Sequence, residues 1–109
     1  MTGNAIEPRG CIANYDEYED RYTLRATIQS AHGTRATLAR QIFKIPQTKI
    51  RVICDNMGGG FGIKNSIYGE QIVIPWAARR LGRPVKWYPE RGDAFLTDYH
   101  ARDHVMNGE

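Results

Sequence analysis

Two stretches near the start of the chain alternate apolar and polar residues with a period of two: CIANYD at 11–16 and YTLRATIQ at 22–29. Successive side chains of a strand point to opposite faces, so this period predicts two half-buried strands joined by the charged turn EYEDR. The pattern then lengthens. In HGTRATLARQIFKI, residues 32–45, Leu38, Ile42 and Ile45 fall at helical spacing, with Thr34 as the expected N-cap and Pro46 as the stop. KIRVIC, 49–54, returns to β-branched alternation and predicts a third strand. From Ser66 the run SIYGEQIVIPWAARRLG reads as a helix closed by Gly82, because glycine takes the left-handed conformation that ends helices. Pro75 has no backbone donor and predicts a kink or a helix in two pieces. RPVKWYP, 83–89, reads as a further strand, and the remainder, 90–109, has weak periodicity. The order ββαβαβ predicts an α+β fold, a two-layer sandwich with helices on one face of a mixed sheet.

Composition narrows the class without naming a function. The 109 residues suffice for one core and not for two, and 41% hydrophobic with 25% charged residues is a globular balance. The net charge of +3 comes from arginines spread along the chain, with only Arg79, Arg80 and Arg83 clustered, which reads as a solvated helix end. Nucleic-acid binding through ARRLGR, 78–83, would need aromatic interleaving and a recognised motif, and both are missing. Cys11 and Cys54 have no CxxC or Cys/His spacing, so they build neither a zinc nor an iron-sulfur site and read as buried thiols in a reduced, cytoplasmic setting. The N-terminal residues MTGNAIEPRG lack an apolar core, and no apolar run reaches membrane length.

The candidate chemistry lies in NMGGGFGIK, residues 56–64, between the third strand and the long helix. It is not a triphosphate loop, because Lys64 follows Ile63 and precedes Asn65. Nor is it a dinucleotide fingerprint, because Ile63 and Asn65 stand where the third glycine would be required. Glycines permit torsions closed to other residues and let main-chain N–H groups come close to a ligand. Placed just before a helix N-terminus, such donors suit anionic oxygens. A tight strand-to-helix turn would also use glycines. The bulky Phe61 among them suggests a ring wedged in place to fix the backbone, and Lys64 reads either as a cation that favours anionic oxygens or as an exposed lysine that needs no role.

GGGFGIK, together with EPRG at 7–10, TIQSAHGTR at 27–35, WAARRLGRPVKW at 76–87 and ER at 90–91, resembles the molybdenum-binding large subunit of the xanthine dehydrogenase and aldehyde oxidase family. The likeness is nearest to the branch containing aerobic carbon monoxide dehydrogenase. It implies that residues 1–109 are a partial molybdopterin-binding domain, a fragment of a larger subunit. Gln29 matches the family glutamine whose amide donates to an oxo ligand of molybdenum. Gly59, Gly60, Phe61 and Gly62 match the loop whose main-chain N–H groups contact the metal centre and the pterin. The implied cofactor is molybdenum with molybdopterin, as a cytosine dinucleotide, held by the pterin dithiolene and not by side chains. Implied partners are the rest of the large subunit and iron-sulfur and FAD-binding subunits, with no nucleic acid and no membrane.

His32 and Arg35 match a PHxxR pattern in which Ala31 replaces proline, and a helix-entry cap and a surface cation explain them equally well. Asn65 departs from the glutamate that binds the heterocycle in purine-oxidising members, which argues against purine hydroxylation in that form. Ile63 replaces a glycine common in the family, and its backbone must therefore lie in a region open to a β-branched residue. The family's base is a glutamate near the C-terminal end of the subunit, and neither Cys11 nor Cys54 matches the cysteine loop of carbon monoxide dehydrogenases. The resemblance thus implies an oxidoreductase as the parent, acting on an aldehyde, an N-heterocycle or carbon monoxide, and an inactive fragment. The alternative is a non-catalytic α/β domain that binds a ligand or partner through the glycine loop.

Overall fold

The computed structural model describes residues 3–100. Its strands are β1 (Cys11–Asp16), β2 (Arg21–Ala26), β3 (Ile50–Ile53) and β4 (Val85–Trp87), and its α-helices are α1 (Ala31–Thr37), α2 (Glu70–Leu81) and α3 (Arg91–Thr97). The strands form one mixed sheet in the order β3-β2-β1-β4, parallel at β2/β3 and antiparallel elsewhere. This is the α+β class expected from the periodicity. The hairpin joins β1 to β2 in a register that pairs Cys11 with Ala26 and Ala13 with Leu24. Asp16 closes its turn by accepting from the N–H groups of Tyr18 and Glu19 at 2.9 and 3.1 Å.

Alternation along the strands decides which face is buried. Cys11, Ala13, Tyr22, Leu24 and Ala26 are buried, whereas Ile12, Asn14 and Arg25 between them are exposed. Helix α2 lies against β1, β2 and β4. The residues of β1 facing the core are small, and α2 meets them with buried Ala78 and Pro75, which lets the helix come close to the sheet. Leu24, Ile28, Leu38 and Ile50 are fully buried in the same core. Each contributes about 1.5–3 kcal/mol relative to an exposed side chain.

Several boundaries differ from the sequence expectation for local reasons. Helix α1 is capped by Ser30, whose hydroxyl accepts from the Gly33 N–H at 3.2 Å, so Thr34 is not the cap and is instead buried inside the helix. The helical run continues through Leu38–Phe43 as π-helix. Its wider turn carries Leu38, Ala39 and Phe43 to the core, while Ile42, placed inward by a 3.6 period, is 39% exposed. Strand β2 ends at Ala26, so residues 27–29 leave the sheet. Residues 66–69 precede α2, which then runs unbroken through Pro75 to Leu81 and is not in two pieces. Helix α3 forms where periodicity was weak, held by a capping box in which Glu90 and Asp93 satisfy each other's N–H groups. Residues 101–109 of that weakly periodic stretch lie outside the described residues.

Gly82 closes α2 with φ 65° and donates to the Ala78 carbonyl at 3.0 Å. A Cβ there would meet nothing within 4 Å, so only the backbone conformation penalises a side chain. Gly82→Ala is therefore expected to cost about 1 kcal/mol, read from the shift of a denaturation midpoint.

Both cysteines are free, Cys11 buried and Cys54 partly so. Burial pushes the Cys11 thiol up to about 12, Glu70 adds to the effect and Arg9 opposes it. Thiolate is the reactive form. Iodoacetamide at pH 8 should leave Cys11 unmodified in the native protein and label it in urea, as peptide mass spectrometry would show.

Candidate cofactor-binding site

Gln29 reaches its position through the segment that follows β2. The Thr27 N–H donates to the Gly10 carbonyl at 3.1 Å, and the Gly10 N–H donates to Thr27 Oγ1 at 3.0 Å. Ile28 turns into the core at 2% exposure, and its carbonyl accepts from Cys54 Sγ at 2.9 Å. With Ile28 inward, Gln29 is exposed on the outside of the chain.

The glycine loop comes to meet it. The Gln29 N–H donates to the Lys64 carbonyl at 3.0 Å, and the Lys64 N–H donates to Gln29 Oε1 at 3.1 Å. Because a backbone N–H can only donate, this contact fixes which end of the Gln29 amide is oxygen. The Nε2 amino group is left pointing away, with no acceptor among the described residues. Gly60 packs beneath the amide: a Cβ at residue 60 would lie 2.6 Å from Gln29 Cδ and 2.7 Å from Cγ. The glycine at 60 is there to admit the glutamine.

Positive φ values shape the rest of the loop: 106° at Gly59, 48° at Phe61 and 83° at Gly62. The value at Phe61 is unusual for a residue with a Cβ and costs on the order of 1–2 kcal/mol, strain of the kind concentrated at functional sites. Ile63 is buried at 6% exposure and is not among the positive-φ residues, so its backbone is open to a β-branched side chain. The main-chain N–H groups of Gly59, Gly60, Phe61 and Gly62 donate to no acceptor among the described residues. Four consecutive main-chain donors without an acceptor among the described residues thus lie in the loop that packs against Gln29, Gly60 buried under the glutamine and Phe61 and Gly62 exposed.

Two expectations are corrected here. The Phe61 ring is not wedged into this chain: it lies over Gly59 and is 72% exposed. Lys64 is not a surface lysine but is buried, with Nζ 3.4 Å from Glu7 Oε2. The helix dipole adds little at the loop, because α2 starts only at Glu70 and a turn over residues 61–66 intervenes.

The loop rests on a buried ionic cluster. Tyr68 donates from its hydroxyl to the Ile63 carbonyl at 2.6 Å and accepts from the Tyr99 N–H at 3.1 Å. The Arg9 guanidinium lies 3.4 Å from the centroid of the Tyr68 ring. Arg9 is 3% exposed, with Nε 3.0 Å from Asp98 and 3.4 Å from Glu70, and it donates to Thr97 Oγ1 at 2.8 Å. Its Nε and the facing carboxylate oxygens are at ion-pair distance without hydrogen-bond alignment. Beside the loop, a cleft of about 250 Å³ is lined by Phe61, Gly62, Ile63, Ser66, Tyr99 and His100.

His32 is exposed in the first turn of α1, and Arg35 donates from Nε to the Gln47 carbonyl at 2.9 Å, a bond that ties α1 to the turn before β3. Among the described residues, no hydrogen bond or ion pair joins either of them to Gln29 or the loop. No group of three or more His, Cys, Asp or Glu among the described residues could hold a metal ion.

The pattern of the molybdopterin cofactor-binding domain matches residues 1–109. The chain belongs to this family. Over 104 residues it is 38% identical to the carbon monoxide dehydrogenase large chain of Hydrogenophaga pseudoflava, covering 95% of this chain and 13% of that protein. It is 34% identical over 101 residues to the nicotine 6-hydroxylase large subunit of Paenarthrobacter nicotinovorans, covering 93% of this chain and 12% of that subunit. The structure superposes on that of the Cu,Mo-containing carbon monoxide dehydrogenase with a TM-score of 0.90 and 34% identity, over 94% of this chain and 13% of that one. The chain therefore spans about an eighth of the length of the relatives it matches.

As a molybdopterin cofactor-binding domain, the chain supplies groups that fit such a cofactor. The oxygens of such a cofactor are acceptors, and the Gln29 amino group and the loop N–H groups are donors without a partner among the described residues. These donors are neutral and fixed, so they favour partial negative charge without competing as ligands. Sequence reasoning missed the roles of Glu7, Lys64, Arg9 and Tyr68, although EPRG and the loop were both singled out. Charged residues flanking glycines were the available signal.

Proposed function

We propose that this chain is part of a molybdenum hydroxylase, in which Gln29 and the main-chain donors of Gly59, Gly60, Phe61 and Gly62 hold the molybdenum-pterin group. The observation that carries the reading is the lone Gln29 amino group, locked by Lys64 and lifted by Gly60 beside four unpaired main-chain donors. Oxidation of an aldehyde, an N-heterocycle or carbon monoxide with water as the oxygen source is the chemistry the group supplies when bound. The part played by this chain is orientation. Gln29 Nε2 and the main-chain N–H groups of Gly59, Gly60, Phe61 and Gly62 are the residues that would hold the group, offering it neutral hydrogen-bond donors. The dinucleotide is a cytosine form, and iron-sulfur and FAD-binding subunits complete a cytoplasmic assembly. Likeness to a protein named as the large chain of carbon monoxide dehydrogenase supports an assembly with further chains.

The exposed Asn65 follows the loop lysine and offers an amide where purine oxidation would need a carboxylate. This argues against purine hydroxylation in its familiar form. The test uses the full-length protein purified with its co-purifying subunits. Turnover of an aldehyde, an N-heterocycle or carbon monoxide in heavy-oxygen water should place the label in the product. Product that takes its oxygen from dioxygen would refute the reading.

A further inference from the structure

Lys64 presents a question that cofactor contact does not answer. Its ammonium is fully buried, where an aliphatic side chain would fill the space without the cost of desolvating a charge. Its only ionic partner among the described residues is Glu7. The same Glu7 Oε2 accepts from the Gly58 N–H at 2.7 Å, and the Glu7 N–H donates to the Gly58 carbonyl at 3.3 Å. A Cβ at residue 58 would come within 2.6 Å of Glu7 Cβ, so Gly58 is a glycine because Glu7 lies against it. One carboxylate therefore joins the entrance of the glycine run, at Gly58, to its exit, at Lys64. Lys64 in turn grips Gln29 through both its N–H and its carbonyl.

We infer that Glu7 and Lys64 are positioning residues, a latch that fixes the loop span and thereby the direction of the Gln29 amino group. The tether at Nζ restricts how far the Lys64 main chain can move, and with it the N–H and carbonyl that hold Gln29. With the Lys64 N–H held, Gln29 Oε1 has one donor to accept from, and Nε2 has one direction. Releasing the tether lets the amide rotate, and a donor that rotates no longer stabilises charge at one place. The inference rests on the molybdenum-pterin reading, and its test separates the two.

The test is Glu7→Gln in the full-length holoprotein. Glutamine keeps an oxygen for the Gly58 N–H and removes the charge that holds Lys64. Molybdenum and pterin content should stay within about twofold of the parent, kcat per molybdenum should fall about 10-fold with KM little changed, and the Mo(V) electron paramagnetic resonance signal should shift. Unchanged kcat per molybdenum together with an unchanged signal would overturn the latch. Parent protein without molybdenum would instead overturn the functional reading beneath it. Hydrogen exchange on the unmodified holoprotein needs no variant: the Gly58 and Lys64 amides should be protected, and exchange at the rate of an open loop contradicts the latch.

Discussion

Gly60→Ala in the full-length protein is expected to cut turnover by about 100-fold while leaving the fold nearly as stable as before. The added methyl would sit 2.6 Å from Gln29 Cδ, 2.7 Å from Cγ and 3.0 Å from Nε2. Real carbon atoms do not approach so closely, so the glutamine must swing away. Its main chain cannot follow, because the Gln29 N–H is bonded to the Lys64 carbonyl at 3.0 Å. The side chain therefore breaks its bond to the Lys64 N–H, and the donor leaves the patch. The backbone at residue 60 does not have a positive φ, so alanine adds no torsional strain there. That separates this site from Gly59 and Gly62, where any side chain is strained at φ 106° and 83°. Gln29→Ala should match Gly60→Ala in kcat, and the double variant should be no worse than either, because both remove one donor. Steady-state kinetics normalised to molybdenum content provide the check. Full activity in Gly60→Ala would mean that the glutamine donor is not used.

The second large effect concerns stability. Arg9→Met should lower the stability of this domain by about 3–5 kcal/mol, because it leaves the buried Asp98 and the largely covered Glu70 without their counter-charge. It also removes the guanidinium lying 3.4 Å from the Tyr68 ring centroid, a contact contributing about 2 kcal/mol when desolvated. Lysine should not rescue the loss, since it has neither the planar face that stacks on Tyr68 nor the fork that reaches Thr97 and the carboxylates together. Tyr68 is bonded to Ile63, so the glycine loop should loosen with the cluster. Native-state hydrogen exchange can read both consequences, in β1 and β2 for the domain and at Lys64 for the loop. Protection in β1 and β2 that survives the substitution would show that the cluster contributes little.

Period and punctuation carried most of the fold. The alternation in CIANYD and YTLRATIQ fixed the hairpin and its buried face, and Gly82 marked the end of α2. Where the prediction slipped, a long-range contact or a local bond outweighed the pattern. Ser30 capped α1 ahead of Thr34, and the wider turn of the π-helix exchanged Ile42 for Phe43 in the core. Neither is visible in a 3.6-residue period. At the site, the composition of the glycine run revealed its conformational freedom but not its contacts. That Gly58 admits Glu7 and Gly60 admits Gln29 depends on residues 51 and 31 positions away, which only the folded chain brings together. The same holds for Lys64: a lysine after a glycine loop looks like a surface charge until a carboxylate from the EPRG segment is placed against it.

The central claim is that the Gln29 patch holds a molybdenum-pterin group. The most direct test is quantitation of metal and pterin in the full-length protein purified from its own host. Molybdenum in stoichiometric amount, with a pterin dinucleotide released on denaturation and both depleted in Gly60→Ala combined with Gln29→Ala, is the predicted result. A folded, fully assembled parent protein containing neither molybdenum nor pterin would contradict it.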